Sequence, residues 1–100
     1  MFYESIRGEK PVEIFIKSLD ESTIAKTIHS IDLLEKFGPL LRMPHVKKLT
    51  NNIYELRIKG KQEVRILFTF NKKEIILLHA FQKKTQKTPQ KDIDTALKRL

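Results

Sequence analysis

The sequence predicts an α+β domain in which helices pack on one face of a mainly antiparallel sheet. Three runs rich in β-branched and aromatic residues, 53–58, 62–70 and 74–84, are separated by polar breaks at 59–61 and 71–73, as in an antiparallel meander. Two helix-periodic segments precede these runs and one follows them. With a short strand at the N-terminus, the expected order is β-α-α-β-β-β-α.

The segments before the meander are expected to form the first strand and two helices. Residues 2–6 predict a short edge strand, ended by the turn at 7–8. Pro11 suits the first position of a helix over about 11–19. A second helix begins near Asp20, Ser22 or Thr23 and ends at 38–39. The apolar stripe that should cover the sheet is Ile24, Ile28, Ile31, Leu34 and Phe37, with His29 on its flank and without a chemical role.

The remaining segments connect and close the domain. Residues 40–46 are a linker, and the sheet region starts at 46–49. After the meander, Pro89 opens a last helix. The apolar stripe of this helix is Ile93, Ala96, Leu97 and Leu100.

Alternation along the meander predicts which face of the sheet is buried. The apolar residues of all three strands concentrate at even positions, so odd-length loops are needed for them to share one face. Three-residue loops at 60–62 and 71–73 meet this condition and place Arg57 opposite Arg65, and Arg65 opposite His79. We expect five side chains to be buried beneath the helices that contain Phe15, Ile28 and Ile31. They are Leu56, Ile66, Phe68, Ile76 and Leu78.

Composition limits the class of protein. One hundred residues predict one domain, 1–100. The chain contains no cysteine, which excludes disulfides and thiolate metal sites and fits a reducing cytosol. No apolar run approaches the ~20 residues of a membrane span, and the N-terminus lacks the order of a secretory signal. We therefore expect a soluble, cytoplasmic protein that does not bind a membrane.

The net charge of +8 is concentrated in one half of the chain. Residues 1–44 contain six Lys or Arg against seven Asp or Glu, whereas residues 45–100 contain fourteen against five. Such asymmetry is typical of a protein that binds a polyanion, most often nucleic acid. A lysine-rich surface that serves only solubility is the alternative.

The odd-numbered face of the sheet is the candidate site. Like charges opposite one another destabilise a sheet, so the row of Arg57, Arg65 and His79 is costly unless it binds an anion. Arg57 and Arg65 could hold two phosphate oxygens, while Lys83 and Lys84 could stabilise or protonate a leaving group. Lys26, on the second helix, is expected to lie away from this row.

Further residues near the odd-numbered face are candidates for substrate binding. Phe81 could stack on a base. The others are His45, His79, Lys47 and Lys48. No His, Cys and Asp set has metal spacing, so we expect no metal. Two plainer interpretations stay open: Arg57 could pair with Glu55 or Glu63 on the surface, and His79 could be a hydrogen-bonded sheet residue.

Several stretches together resemble a known family. They are 53–57, Val64-Arg65, the run 77–89 that reads LLHAFQKKTQKTP, and the helix at 92–96. They resemble the HigB-like branch of the RelE/ParE toxin superfamily over nearly the whole chain. The resemblance implies a RelE-like fold and a toxin of a type II toxin–antitoxin system. It implies a ribosome-dependent mRNA endonuclease that cuts in the A site by attack of the ribose 2′-hydroxyl, without metal or another cofactor.

Roles and partners also follow from the resemblance. It assigns transition-state stabilisation to Arg57 and Arg65, and phosphate contact or proton transfer to Lys83 and Lys84. The last helix lacks the tyrosine or histidine of some relatives, so the general base is not identified. The implied partners are mRNA, the ribosome and a helix-turn-helix, HigA-like antitoxin, with no small-molecule ligand. Two alternatives are a ParE-like poison of DNA gyrase without nuclease chemistry and an RNA-binding module without activity.

Overall fold

From the first helix onward the elements follow the predicted order, with one additional short strand at the edge of the sheet, whereas the predicted N-terminal strand is reduced to a single bridge. In the computed structural model, which describes residues 1–100, helices α1 (Pro11–Lys17) and α2 (Glu21–Phe37) are followed by a 3₁₀ turn, Gly38–Leu40. Strands β1 (Val46–Lys48), β2 (Tyr54–Ile58), β3 (Val64–Asn71) and β4 (Glu74–Gln82) precede α3 (Gln90–Lys98). Neighbouring strands are antiparallel, in the order β1-β2-β3-β4, which confirms the α+β class.

The N-terminal segment lies beside β4 but is shorter than the predicted strand over 2–6. Phe2 forms one parallel bridge with Leu77, and the Tyr3 N–H donates to the Leu77 carbonyl at 2.8 Å. The chain then turns, with the Gly8 N–H donating to the Ser5 carbonyl and Gly8 at a φ of 85°. Because this turn begins at Ser5, pairing with β4 stops after Tyr3.

Both caps of α2 are as predicted, but its buried face is rotated. The Asp20 carboxylate accepts from the Thr23 N–H at 2.8 Å, and Gly38 follows the last residue. The buried side chains of α2 are Thr23, Thr27 and Leu34, whereas Ile28 is 50% exposed. The stripe prediction was therefore wrong for Ile28 and Phe37, because Thr23 and Thr27 take the buried positions on this helix.

The register confirms one predicted pairing and corrects the other. Arg57 lies opposite Arg65, as expected. Arg65 lies opposite Phe81, and not His79, which faces Leu67. The turn between β3 and β4 has two residues, 72–73, where three were predicted, with Lys72 at a φ of 59°. A register shift between Leu67 and Phe68 then changes the pairing, so that from Leu67 back to Val64 odd positions lie opposite odd ones and even positions opposite even ones.

The sheet divides the core into two clusters, one on each face, and the register shift changes which residues of β4 belong to each. On the α1/α2 face, as predicted, Leu56, Ile66 and Phe68 are fully buried. Leu77 joins them, whereas Leu78 and the partly buried Ile76 belong to the cluster on the other face. That face, which we call the α3 face, is covered at one end by α3 through Ala96 and Ile93. None of the three helices is both long and apolar enough to cross a membrane.

Candidate functional site

A cleft of about 500 Å³ lies at the end of the α3 face that α3 leaves open. It is lined by residues from the end of β2, the start of β3 and the segment after β4. The four residues assigned to chemistry come together here: Arg57, Arg65, Lys83 and Lys84. The rest of the lining is Lys59, Glu63, Thr85 and Gln86.

Glu55 lies beneath the cleft and holds the two arginines. Its side chain is 1% exposed and accepts from the Arg57 Nε at 3.1 Å. The Arg65 Nε is 3.8 Å from the same carboxylate oxygen. The hydroxyl of Thr88 donates to the other oxygen and ties the segment after β4 to the sheet. The opposed guanidinium groups therefore share an anion from the chain itself, and the pair with Glu55 is buried, not on the surface.

The two arginines differ in how much of each side chain reaches the solvent. The side chain of Arg57 is 19% exposed and that of Arg65 only 4%. Arg65 Nη1 donates to the Val64 carbonyl at 3.2 Å, Nη2 lies 4.0 Å from the Glu63 carboxylate, and Nε has no hydrogen-bond partner. Burial lowers the pKa of Arg65, while Glu55 and Glu63 act in the opposite direction. Arg57 is the more accessible of the two to a ligand.

The backbone also positions the lysines at the edge of the cleft. The Lys83 N–H donates to the Glu63 carbonyl at 2.7 Å, which continues the pairing of β4 with the start of β3. Lys83 and Lys84 make no ion pair with a carboxylate. Their ammonium groups are therefore available to an anion in the cleft.

His79 and Phe81 lie beside the cleft and do not line it. The His79 Nε2 is 2.7 Å from an Asp92 carboxylate oxygen on α3, and the imidazole stacks on Phe81 with ring centroids 5.7 Å apart. Phe81 packs against the cluster that contains Leu67 and Ala96. Both rings therefore join α3 to the sheet. His79 is a hydrogen-bonded sheet residue, which was one of the two interpretations of its role.

The other predicted binding residues line two neighbouring cavities. His45 lines a cavity of about 380 Å³ together with Arg57, and its carbonyl accepts from the Arg57 N–H at 2.8 Å. Lys26 lines the same cavity, so it is not remote from the arginines as expected. Lys47 and Lys48 line a third cavity, of about 600 Å³, at the outer edge of β1.

Sequence reasoning considered Glu55 and Glu63 only as surface partners of Arg57, and it did not place Lys59 or Thr88 at the site. Glu55 stands between Ile53 and Arg57 at an odd position of β2, so alternation alone places it on the face of the arginines. Glu63 and Lys59 lie in the connection between β2 and β3, where alternation gives no direction. Thr88 lies 33 residues from Glu55 in the sequence, and only the fold brings them together. No three His, Cys, Asp or Glu side chains form a group that could hold a metal ion.

The fold and the cleft define the class of this protein. A mainly antiparallel sheet, with two helices on one face and a third on the other beside a cation-lined cleft, is an α+β domain of RelE-like architecture. A family model described as "Phage derived protein Gp49-like (DUF891)" matches residues 14–100. The chain belongs to this Gp49-like family, a phage-derived family of RelE-like and toxin-like proteins in toxin–antitoxin systems. No curated protein matches the chain.

Proposed function

We propose that this protein is the toxin of a type II toxin–antitoxin system and acts in the cytoplasm as a ribosome-dependent mRNA endonuclease of the HigB-like branch. The observation that supports the proposal is the cleft, where five cationic side chains surround a single lining carboxylate, Glu63. The cations are Arg57, Lys59, Arg65, Lys83 and Lys84. A set of cations around a small open cleft, two of them held in place by Glu55, suits the pentacoordinate phosphate of a strand-cleavage reaction.

The proposed reaction needs only a nucleophile from the RNA and groups that move two protons. The ribose 2′-hydroxyl attacks the adjacent phosphorus, the bond from phosphorus to the 5′-oxygen breaks, and a 2′,3′-cyclic phosphate and a 5′-hydroxyl remain. Glu63, with its side chain 48% exposed, accepts the proton of the 2′-hydroxyl. Lys83 or Lys84 donates a proton to the leaving 5′-oxygen.

The arginines stabilise the charge that develops on phosphorus. Arg57 presents its exposed edge to the cleft, and Glu55 fixes the plane of its guanidinium through the Nε. Arg65 contributes positive potential from below, because its guanidinium is nearly buried. A buried carboxylate beside two guanidinium groups keeps them in place before the substrate arrives. Electrostatic catalysis is most effective when the charged groups are preorganised in this way.

The proposal includes an antitoxin with a helix-turn-helix domain. The apolar residues of the α3 face do not support this partner, because α3 covers them. Apolar exposure remains on the helices, at Ile14 and Ile28, which are 57% and 50% exposed. Co-expression with such an antitoxin should restore growth and yield a stable complex.

The decisive experiment compares two kinds of damage in bacteria that express the protein. Translated mRNAs should acquire cuts with 5′-hydroxyl ends, whereas an untranslated copy of the same RNA should stay intact. Purified protein should produce the same ends on programmed ribosomes. Growth arrest with DNA breaks and intact mRNA would instead identify a gyrase poison, and RNA binding without either kind of damage would identify a binding module.

A further inference from the structure

The cavity beside the cleft has the composition of an anion site. It has a volume of about 380 Å³ and shares Arg57 and Lys59 with the cleft. This volume lies at the lower end of the ~300–1,000 Å³ typical of ligand pockets. Four further polar side chains line it, and no Asp or Glu does: Lys26, His29, Ser30 and His45.

Helix α2 holds three of these side chains toward the end of β2. Lys26, His29 and Ser30 are spaced i, i+3 and i+4, so they share one face of the helix. The Lys26 side chain lies over the connection between β2 and β3, where a Cβ on Gly60 would come within 3.2 Å of its Nζ. The cavity is therefore formed by tertiary packing of α2 against the sheet.

Arg57 is already paired, because its Nε donates to Glu55, but the other donors in this cavity have no side-chain partner within the protein. No hydrogen bond or ion pair engages the side chains of Lys26, His29 or Lys59, and His45 bonds only through its backbone. Lysine offers three N–H donors, and an imidazole offers at least one in either tautomer. Unpaired donors with no carboxylate among them attract an anion with several acceptor oxygens, such as a phosphate.

We propose that this cavity binds a second phosphate of the same single-stranded RNA whose scissile phosphate occupies the cleft. Because Arg57 and Lys59 line both concavities, a strand that leaves the cleft past these residues enters the cavity. The assignment of the cleft rests on the proposed function, and the cavity adds a contact outside the reacting nucleotides. Such a contact adds affinity and fixes the register of the strand without taking part in the chemical step.

The test measures RNA binding without cleavage. We would use 2′-O-methyl RNA, which cannot undergo 2′-hydroxyl attack, as a labelled dinucleotide and as oligonucleotides extended on the 5′ or the 3′ side. The variant K26Q/H29Q removes two contacts at exposed positions, so its folding should be normal by thermal melting. The control is K36Q, which removes a cation from the last turn of the same helix, outside the cavity.

We expect K26Q/H29Q to weaken binding of one extended series by about three- to tenfold and to reduce its salt slope by ~0.7, the value for one phosphate on a single strand. The dinucleotide and the K36Q control should show no such change. The imidazole NMR signals of His29 and His45 should shift with the extended RNA only.

Three results would overturn the proposal. K26Q/H29Q could match K36Q with every RNA, or it could lose affinity equally for the dinucleotide and the extended RNA. The third is unchanged RNA binding with weakened antitoxin binding, which would assign the cavity to the protein partner. This test is independent of the proposed cleavage activity. If the protein never cleaves mRNA but K26Q/H29Q selectively loses affinity for extended RNA, the phosphate site stands and the proposed function fails.

Discussion

The buried carboxylate of Glu55 reduces the repulsion within a row of like charges. Arg57 and Arg65 are directly opposed across β2 and β3, which would destabilise the sheet if they stood alone. Glu55, fully buried at 0% exposure, lies within reach of both guanidinium groups and also accepts from Thr88. An internal carboxylate thus neutralises part of the row and leaves the more exposed cations to a ligand.

Removing this carboxylate should destabilise the fold. Glu55→Ala leaves the buried Arg65 guanidinium without its nearest anion, and the loss of one partner of a buried ion pair typically costs ~3–5 kcal/mol. The free energy of unfolding from urea titration measures this loss. The matched control is Glu63→Ala, whose side chain is 48% exposed and whose loss should cost less than ~1 kcal/mol. Equal losses in the two variants would contradict the assignment of Glu55 as the internal partner.

Arg57 is the residue on which catalysis should depend most visibly. If its exposed guanidinium stabilises charge in the transition state, Arg57→Ala should lower the single-turnover cleavage rate on programmed ribosomes by roughly 10²–10³. Ribosome affinity should fall much less. Arg57→Lys should recover little, because a point charge does not reproduce a two-pronged contact. Lys72→Ala, in the turn between β3 and β4, is the control and should cleave at the wild-type rate. A wild-type rate for Arg57→Ala would contradict the assignment of the active site to this cleft.

At the scale of elements, α3 decides how much of its face of the sheet stays open. Ala96 is fully buried against Ile53, Leu67 and Leu78. Two polar contacts add to this packing, from Asp92 to His79 and from the Arg99 guanidinium to the Leu78 carbonyl at 2.8 Å. The helix therefore covers the apolar end of the face and stops short of the cations.

Overpacking the α3 contact should loosen this helix. Ala96→Leu inserts a larger side chain at a fully buried position, which typically costs ~1–3 kcal/mol. Hydrogen exchange should become faster over residues 90–98, whereas the amides at the centre of β3, such as that of Ile66, should stay protected. Leu97→Ala, at a side chain 40% exposed, should change exchange little. Unchanged exchange in Ala96→Leu would show that α3 is not held at this contact.

The cap of α2 should produce a defined dependence of stability on pH. The hydrogen bond that the Asp20 carboxylate accepts from the Thr23 backbone N–H, with a further bond from the Ser22 hydroxyl, lowers the pKa of Asp20 below its ordinary 3.8. A carboxyl group whose pKa is lower in the folded state stabilises the fold above its unfolded pKa, and this contribution is lost as pH falls through the lowered folded value. Thermal melting between neutral and acidic pH should show that Asp20→Asn, which keeps a capping oxygen, loses less stability than wild type on acidification. An identical pH profile in both proteins would contradict the cap.

At the scale of the whole molecule, the sheet separates two cores of different size. The larger cluster, on the α1/α2 face, contains twelve buried residues, and the smaller one beneath α3 contains four. Phe68 lies at the centre of the larger cluster, with ring centroids 5.6 Å from Tyr54 and 5.4 Å from Phe70. The larger cluster therefore supplies most of the apolar burial that holds the cleft residues in register.

Truncation in the larger cluster should measure that support. Phe68→Ala removes a fully buried aromatic side chain and should lower the free energy of unfolding by ~3–5 kcal/mol. Ile28→Ala, at a residue of α2 that is 50% exposed, should cost much less. A loss below ~0.5 kcal/mol for Phe68→Ala would contradict the alternation that places even positions of β3 in the core.

Local patterns in the sequence determined the elements and most of one face of the sheet. The cap at Asp20, the stop at Gly38 and the alternation of β2 and β3 each depend on neighbouring residues, so they could be predicted without the fold. The pairing of Arg57 with Arg65 followed from the same alternation. The tertiary structure decided the rest, because a two-residue turn and the register shift in β3–β4 moved His79 away from Arg65. It also decided that Glu55 meets Thr88 and that Lys26 borders Arg57, since contacts between residues far apart in sequence exist only once the chain has packed.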